Sequence, residues 1–355
     1  MKSLSASDLR PLPKAFVLEL TRRCNNHCLY CYNEGGTGEL PRDREMSTAE
    51  IAGIISKLHE ETPVETIALS GGEPFMREDL PEILSFIRQL GIAPAVISNG
   101  TLLTPEKVAA TVQDVTYEVT LLSHRAEVHD HLAGRRGAWN AALGGMCNVR
   151  QAKGNLVAVF VATKLNYADL RTTAELAIAV GAGALMYNRI NLGTHNLRFA
   201  EKLLPTPEMI RENLEVLEAL TTHYKIPVSV SVVIEPCVID VRKYKNIHFG
   251  WCPLAGEGSY FTVDPQGNLR ICNHSPVTLG NLRHEHFCDV YYNHPYVKHF
   301  RETLPVECEP CDPELKALCC GGCKAAGEQC YGTPSRVDPF VTLSAISASG
   351  SLRLG

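Results

Sequence analysis

Three cysteines fall within eight residues, in the order Cys24-x-x-x-Cys28-x-x-Cys31. Thiolates are soft ligands, and three on one short loop can wrap a single iron–sulfur cluster. A 4Fe–4S cluster normally takes four cysteines. With three, one iron keeps an open position for a substrate or cofactor, by the logic that leaves a free position in catalytic zinc sites. The plainer alternatives are a zinc site and a set of buried thiols. His27 would have to complete the zinc site from inside the loop, where geometry is unfavourable.

A second group lies far along the chain: Cys252, Gly267-x-x-x-x-Cys272, Cys308-x-x-Cys311, Cys319-x-x-x-Cys323 and Cys330. Two pairs alone would suit a zinc ribbon. Seven ordered cysteines exceed one tetrahedral zinc and suffice for two iron–sulfur clusters. Nine of the 14 cysteines fall between Cys252 and Cys330, with Cys147 and Cys237 standing alone. Metal binding is the expected use of so many thiols in a reducing compartment. A cytoplasmic enzyme is expected, because the polar start, Met1 to Pro13, lacks a signal-peptide core and no run of 18 apolar residues occurs. Net charge is −5, with no Lys/Arg run that would call for nucleic acid or an anionic membrane.

The elements that must hold these residues are legible as short apolar runs alternating with amphipathic segments. Ala15–Leu20, Val64–Ser70, Ala93–Ser98, Tyr117–Leu122, Asn155–Val161 and Ala184–Ile190 read as strands. Between them, Ile51, Ile54, Ile55 and Leu58 give one helix an apolar face, as do Leu80, Ile83, Leu84 and Ile87 for another. Ser47 with Glu50 makes a capping box, with Met46 as a staple onto Ile51. Gly91 suits a helix C-terminus, and Thr206-Pro207 opens a further helix. Six strand–helix units imply a parallel α/β sheet with right-handed crossovers. A full eight-fold barrel takes about 250 residues, so a partial (β/α)6 TIM-like barrel fits better, with a doubly wound sheet as the alternative. Both gather ligands at the C-terminal strand ends.

The expected division is an N-terminal segment at 1–14, the barrel at 15–235, a Cys-rich unit at 236–338 and a tail at 339–355. Tyr260–Val263 and Asn268–Cys272 read as a hairpin in the Cys-rich unit, which has too little apolar core to fold without metal. The sequence after Gly332 reads as poorly ordered.

Further candidates sit at strand ends. Ser70-Gly71-Gly72-Glu73-Pro74 follows the second strand, its two glycines allowing close backbone approach and positive φ. Ser98-Asn99-Gly100-Thr101 ends the third, where a simple Asn-Gly turn is the alternative. Arg189 and Asn191 end the sixth, Arg189 being either an anion-binding fork or half of an ordinary ion pair. His124, His129 and Asp130 follow the fourth, shaping a pocket or capping a helix. Cys147, on a helix pattern, is expected in the core.

The cysteine loop, with Tyr30 before its last cysteine, and the Gly-Gly-Glu turn one unit later resemble the radical SAM superfamily. The resemblance covers about Ala15 to Asp338. It implies that the cluster on Cys24, Cys28 and Cys31 chelates S-adenosylmethionine and that reductive cleavage yields a 5′-deoxyadenosyl radical, which takes a hydrogen atom from substrate. Tyr30 would pack by the adenine, the Ser70–Pro74 turn would receive the methionine ammonium, Ser98 and Asn99 would lie near ribose or carboxylate, and Arg189 would meet the carboxylate. The distal cysteines resemble the SPASM extension. Carried over, Cys252, Cys272 and Cys323 hold one auxiliary 4Fe–4S cluster, and Cys308, Cys311, Cys319 and Cys330 the other. Cys320 competes with Cys319. Cys237 or Cys288 would complete the first auxiliary set, or it stays open. Cys237 has two rival readings, hydrogen-atom donor and plain buried thiol.

The extension implies a maturase that crosslinks, oxidises or epimerises a ribosomal peptide. The alternative is tailoring of a small molecule such as a cofactor precursor, tetrapyrrole or antibiotic; a non-catalytic iron–sulfur or zinc protein is the remote one. The implied partners are the substrate and a reducing donor such as flavodoxin or ferredoxin. With the first strand at Ala15, peptide recognition would need a separate leader-binding protein, a short leader, or none.

Overall fold

The computed structural model describes residues 11–33, 45–193, 195–252 and 260–346, with side chains as far as residue 342. One sheet organises them. Its strands are β1 (Ala15–Thr21), β2 (Thr66–Gly71), β3 (Ala93–Ser98), β4 (Thr116–Thr120), β5 (Asn155–Ala162), β6 (Ala184–Arg189), β7 (Val228–Val230), β8 (Ile247–Phe249), β9 (Tyr260–Val263), β10 (Asn268–Arg270) and β11 (Thr278–Asn281). Their spatial order is β11-β10-β9-β1-β2-β3-β4-β5-β6-β7-β8, with β8 and β11 left as edges. From β1 to β8 every neighbouring pair is parallel, so the architecture is α/β.

All six expected strands are present, with ends shifted by at most two residues. Two additions extend them. β7 and β8, at three residues each, are too short to show a period in sequence. The hairpin β9–β10 also joins the barrel: β9 pairs with β1 in parallel, Ala15 opposite Tyr260, before β10 and β11 turn antiparallel. The sheet therefore crosses the expected boundary at residue 235.

Alternation along the strands explains both faces. Phe16, Leu18 and Leu20 of β1, Ile67 and Leu69 of β2, and Tyr117 and Val119 of β4 are buried under the helices. Their neighbours Val17, Glu19, Ala68, Ser70, Glu118 and Thr120 face a cavity inside the sheet. The helix Thr48–Glu61 buries Ile51, Ile54, Ile55 and Leu58 and carries the expected capping box between Ser47 and Glu50. Each such side chain contributes about 1.5–3 kcal/mol by leaving water. In the helix Pro207–Tyr224, Thr206 caps the N-terminus as expected, and Gly91 takes a φ of 74° just beyond the helix Leu80–Gln89.

The Cys-rich segment is made of short helices, none longer than eight residues: Phe287–Asn293, Pro295–Glu302, Pro313–Cys319, Lys324–Tyr331 and Pro339–Ile346. The first packs Phe287 edge-on to Phe16 of β1 and Phe261 of β9, with ring centroids 5.1 and 5.2 Å away. The last corrects the expected disorder after Gly332, since ordered chain runs to Ile346; residues 347–355 lie outside the described residues. Among the described residues, no helix is long and apolar enough to cross a membrane.

Candidate active site

A cavity of about 640 Å³ occupies the inside of the sheet, within the range of ligand pockets. Cys24, Cys28 and Cys31 stand in its wall, together with Tyr30, Ser70, Gly71, Gly72, Ser98, Asn99, Arg189 and Asn191. Cys252, Cys272 and Cys323 line the same space from the other side. Eleven of the sequence-predicted residues thus share one cavity with three of the distal cysteines.

The cysteine loop leaves β1 and is pinned against the end of the helix Ala126–Ala133. His27 and Leu29 donate backbone hydrogen bonds to the carbonyls of Ala133 and Leu132, at 3.0 and 2.9 Å. Gly134 closes this contact, at φ 63°, with room for no side chain: a Cβ there would lie 2.1 Å from the His27 carbonyl oxygen. Burial raises the pKa of all three thiols, Cys31 to about 11, with no cation among the causes to oppose it. Three desolvated thiols, with Cys24 adding to the rise at Cys28 and Cys31, are poor sites for free thiolates. They suit thiolates neutralised by bound iron.

The Gly-Gly-Glu turn fits against this loop. Gly72 and Glu73 donate to the carbonyls of Thr21 and Arg23 at 2.7 and 2.8 Å. A Cβ on Gly72 would sit 2.1 Å from the Arg23 oxygen. The close approach that the glycines allow is thus to the chain entering the cysteine loop, not only to a ligand. Glu73 is fully buried and outside the cavity wall. Its carboxylate accepts from Ser98 Oγ and the Asn99 backbone, both at 2.9 Å, and from the Phe75 backbone at 3.2 Å. Burial pushes its pKa up to about 7 against these bonds. Pro74 likewise lies outside the wall, starting a short turn of helix. Asn99 continues the network, its amide donating to Asn25 Oδ1 at 2.9 Å and reaching Cys24 Sγ at 3.8 Å.

Arg189 departs from the expected role. Its guanidinium is buried and bound to Asp338 at 2.6 Å, to the Val233 carbonyl at 3.1 Å and to Glu235 at 3.5 Å, with the Phe340 ring 4.7 Å away. The ion-pair alternative is the observed one: Arg189 ties β6 to the segment before the last helix. Asn191 keeps an unpartnered buried Oδ1, as does Asn26; both line the cavity. His124, His129 and Asp130 stay outside it. His129 Nδ1 accepts from the Leu122 backbone, and Asp130 caps the next helix at Gly137 and Trp139. Cys147 is exposed rather than in the core.

Sequence reasoning passed over His274, two residues after Cys272. It is buried on the cavity wall, edge-on to Tyr32 at 5.4 Å between centroids. Neither ring nitrogen makes a hydrogen bond of good geometry. Burial lowers its pKa to about 4, the Leu192 backbone offsetting part of that, so the imidazole is neutral. It was findable only as a polar residue beside a candidate ligand. Glu19 and Arg270, an ion pair joining β1 to β10 beneath the cavity, carried no local signal at all.

Among the described residues, no three His, Cys, Asp or Glu side chains close in on one point as ligands of a single ion do. The cysteines stand instead around shared cavities. Burial raises the pKa of Cys272 and Cys323, and Cys252 adds to the rise at both. Cys288 is elsewhere, its Sγ 3.4 Å from the Glu61 carbonyl. A second, smaller cavity is walled by Cys237, Cys308, Cys311 and Cys319. Cys320 turns its Sγ to the Ala317 carbonyl instead. Cys330 is separate, packed with Leu122, Ile190 and Leu192.

The description "Radical SAM superfamily" matches residues 18–177. The chain is similar to an AdoMet-dependent heme synthase of Methanosarcina barkeri, 29% identical over 349 residues, covering 92% of this chain and 96% of that protein. It is also similar to a PqqA peptide cyclase of Bradyrhizobium diazoefficiens, 25% identical over 353 residues, covering 97% and 90%. Its fold matches Streptococcus suis SuiB bound to precursor peptide SuiA, with a TM-score of 0.74 at 15% identity, over 92% of this chain and 74% of that one.

Proposed function

We infer that this chain, which belongs to the radical SAM superfamily, is an enzyme that uses a 4Fe–4S cluster and S-adenosylmethionine to modify a ribosomal peptide. The observation that carries the cofactor reading is the wall of the large cavity. Three desolvated thiols without a cation stand there beside the unpartnered amide oxygens of Asn26 and Asn191. Soft donors for iron and orphaned polar atoms for a polar cofactor meet in one place.

When bound, the cluster and S-adenosylmethionine supply reductive cleavage of the sulfonium and removal of a hydrogen atom from substrate. The chain's own residues hold and orient. Cys24, Cys28 and Cys31 would ligate three irons and leave the fourth open. Glu73 fixes the two turns against each other, so that Ser70, Gly71, Gly72 and Asn99 face the cavity in one arrangement. Tyr30 holds its place through its backbone carbonyl, which accepts from Asn196 at 2.9 Å. The strands' inward residues exclude water around the reacting centre. Across the cavity, Cys252, Cys272 and Cys323 would hold an auxiliary cluster, which would supply an electron acceptor, and the smaller cavity would hold a second. A flavodoxin or ferredoxin would deliver the first electron, and a separate protein would present the peptide leader.

A peptide substrate is supported by the relatives whose names specify one, the PqqA peptide cyclase and SuiB with its precursor peptide. The heme synthase, at the higher identity, favours a second reading, a tetrapyrrole-like small molecule. The deciding experiment incubates the anaerobically reconstituted enzyme with reductant, S-adenosylmethionine and a peptide encoded beside its gene. Loss of two hydrogens from the peptide indicates crosslinking or oxidation. Unchanged mass with deuterium uptake from heavy water indicates epimerisation. An unaltered peptide, alongside turnover of a tetrapyrrole, would overturn the peptide reading.

A further inference from the structure

We propose that Cys237, Cys308, Cys311 and Cys319 are the four ligands of the second auxiliary cluster, and that Cys330 is not one. The inference rests on the auxiliary-cluster reading above and changes its ligand set.

The resemblance to the SPASM extension groups Cys330 with Cys308, Cys311 and Cys319, and the folded chain separates them. Cys330 sits in the helix Lys324–Tyr331, buried in an apolar cluster with Leu122, Ile190 and Leu192. The charged groups that reach its thiol are Asp338 and Arg189, with no other cysteine among them. Cys237 follows β7, in the stretch between Glu235 and the turn at Val241–Lys243. Although distant in sequence, it shares the walls of the small cavity with Cys308, Cys311 and Cys319.

Two other side chains compete for the fourth position. Glu235 reaches the same cavity, but its carboxylate accepts from the Cys323 backbone at 3.3 Å and pairs with Arg189. It is also a hard oxygen donor where iron–sulfur clusters take thiolates. Cys320 is in a left-handed conformation at φ 51° with its Sγ turned to Ala317. Four cysteines around one cavity match the four thiolates that a 4Fe–4S cluster takes.

The test needs no activity. Cys237 and Cys147 are both exposed in the chain itself. Full-length protein, loaded with iron and sulfide under anaerobic conditions, is treated with iodoacetamide and each cysteine is read by peptide mass spectrometry. Ligation predicts that Cys237 is protected together with Cys308, Cys311 and Cys319, while Cys147 is alkylated. A chelator should release all four at once. A second measurement uses the Cys24/Cys28/Cys31→Ala background, where only auxiliary iron remains: adding Cys237→Ala should halve the iron and its electron paramagnetic resonance signal, and adding Cys330→Ala should leave both unchanged. Alkylation of Cys237 to the extent of Cys147, while Cys308 and Cys311 stay protected, would overturn the assignment alone. Alkylation of Cys308 and Cys311 as well would sink the second auxiliary cluster, and the assignment with it.

Discussion

The two cysteine-bearing regions are built in opposite ways. In the first, three thiols come from one loop of eight residues, which backbone contacts hold in shape. Backbone bonds from His27 and Leu29, a glycine at 134 and the Gly-Gly-Glu turn all press on it. In the second, the thiols come from turns and short helix ends scattered between Cys237 and Cys323. Short helices with little core are marginal alone. The first region is a socket held by local backbone bonds, and the second gathers its thiols from the whole fold. Spacing therefore groups the thiols of the first, while those of the second are grouped only by the folded chain.

The largest effect expected from this contrast is on iron. If the proposed three 4Fe–4S clusters are bound, the Cys24/Cys28/Cys31→Ala variant should lose about a third of its iron, with unchanged melting, because its loop is held by backbone bonds. Removing the proposed auxiliary iron with a chelator should instead lower the melting temperature, as expected where a metal joins separate segments of a fold. Equal destabilisation in both cases, read by circular dichroism, would erase the contrast.

The next effect concerns the clasp between the regions. Arg189→Met leaves Asp338 and Glu235 buried without their cation, which costs about 3–5 kcal/mol. Denaturant unfolding should show this, while S-adenosylmethionine affinity per folded molecule stays near wild type. A lost affinity without lost stability would return Arg189 to a carboxylate-binding role.

A comparable effect is expected at Glu73 as a function of pH. Its folded pKa, pushed up to about 7, lies above the ordinary carboxylate value near 4.5. Between those values the folded chain binds the extra proton, so stability falls as pH rises through the window, by about 3 kcal/mol in all. Glu73→Gln should flatten that slope between pH 5 and 7.5 in thermal melts. An unchanged slope would place the titrating group elsewhere. The smallest effect is at Ser47→Ala, which removes a cap worth about 1 kcal/mol and should leave S-adenosylmethionine binding unaltered in a titration.

What could be read in advance follows the same division. The strands of the barrel were legible because each is an apolar run between turn residues, and the capping box at Ser47 because it is a local pattern. The cysteine loop, the Gly-Gly-Glu turn and Asn99 were legible as motifs, since their residues are close in sequence to the strands that place them. Long-range partners were not. Nothing in the sequence around Arg189 announces Asp338, and nothing around Cys237 announces Cys308. The three-residue strands β7 and β8 carry no period, and the parallel pairing of β9 with β1 depends on the edge that β1 offers only once the sheet is assembled. His274 is visible as a polar residue beside Cys272, but its missing partners appear only in the packed cavity.

The most direct test of the central claim is 5′-deoxyadenosine. Anaerobically reconstituted enzyme, given a strong reductant and S-adenosylmethionine, should form it, and the Cys24/Cys28/Cys31→Ala variant should not. Its absence from protein whose cysteine loop is intact and loaded with iron would contradict the account.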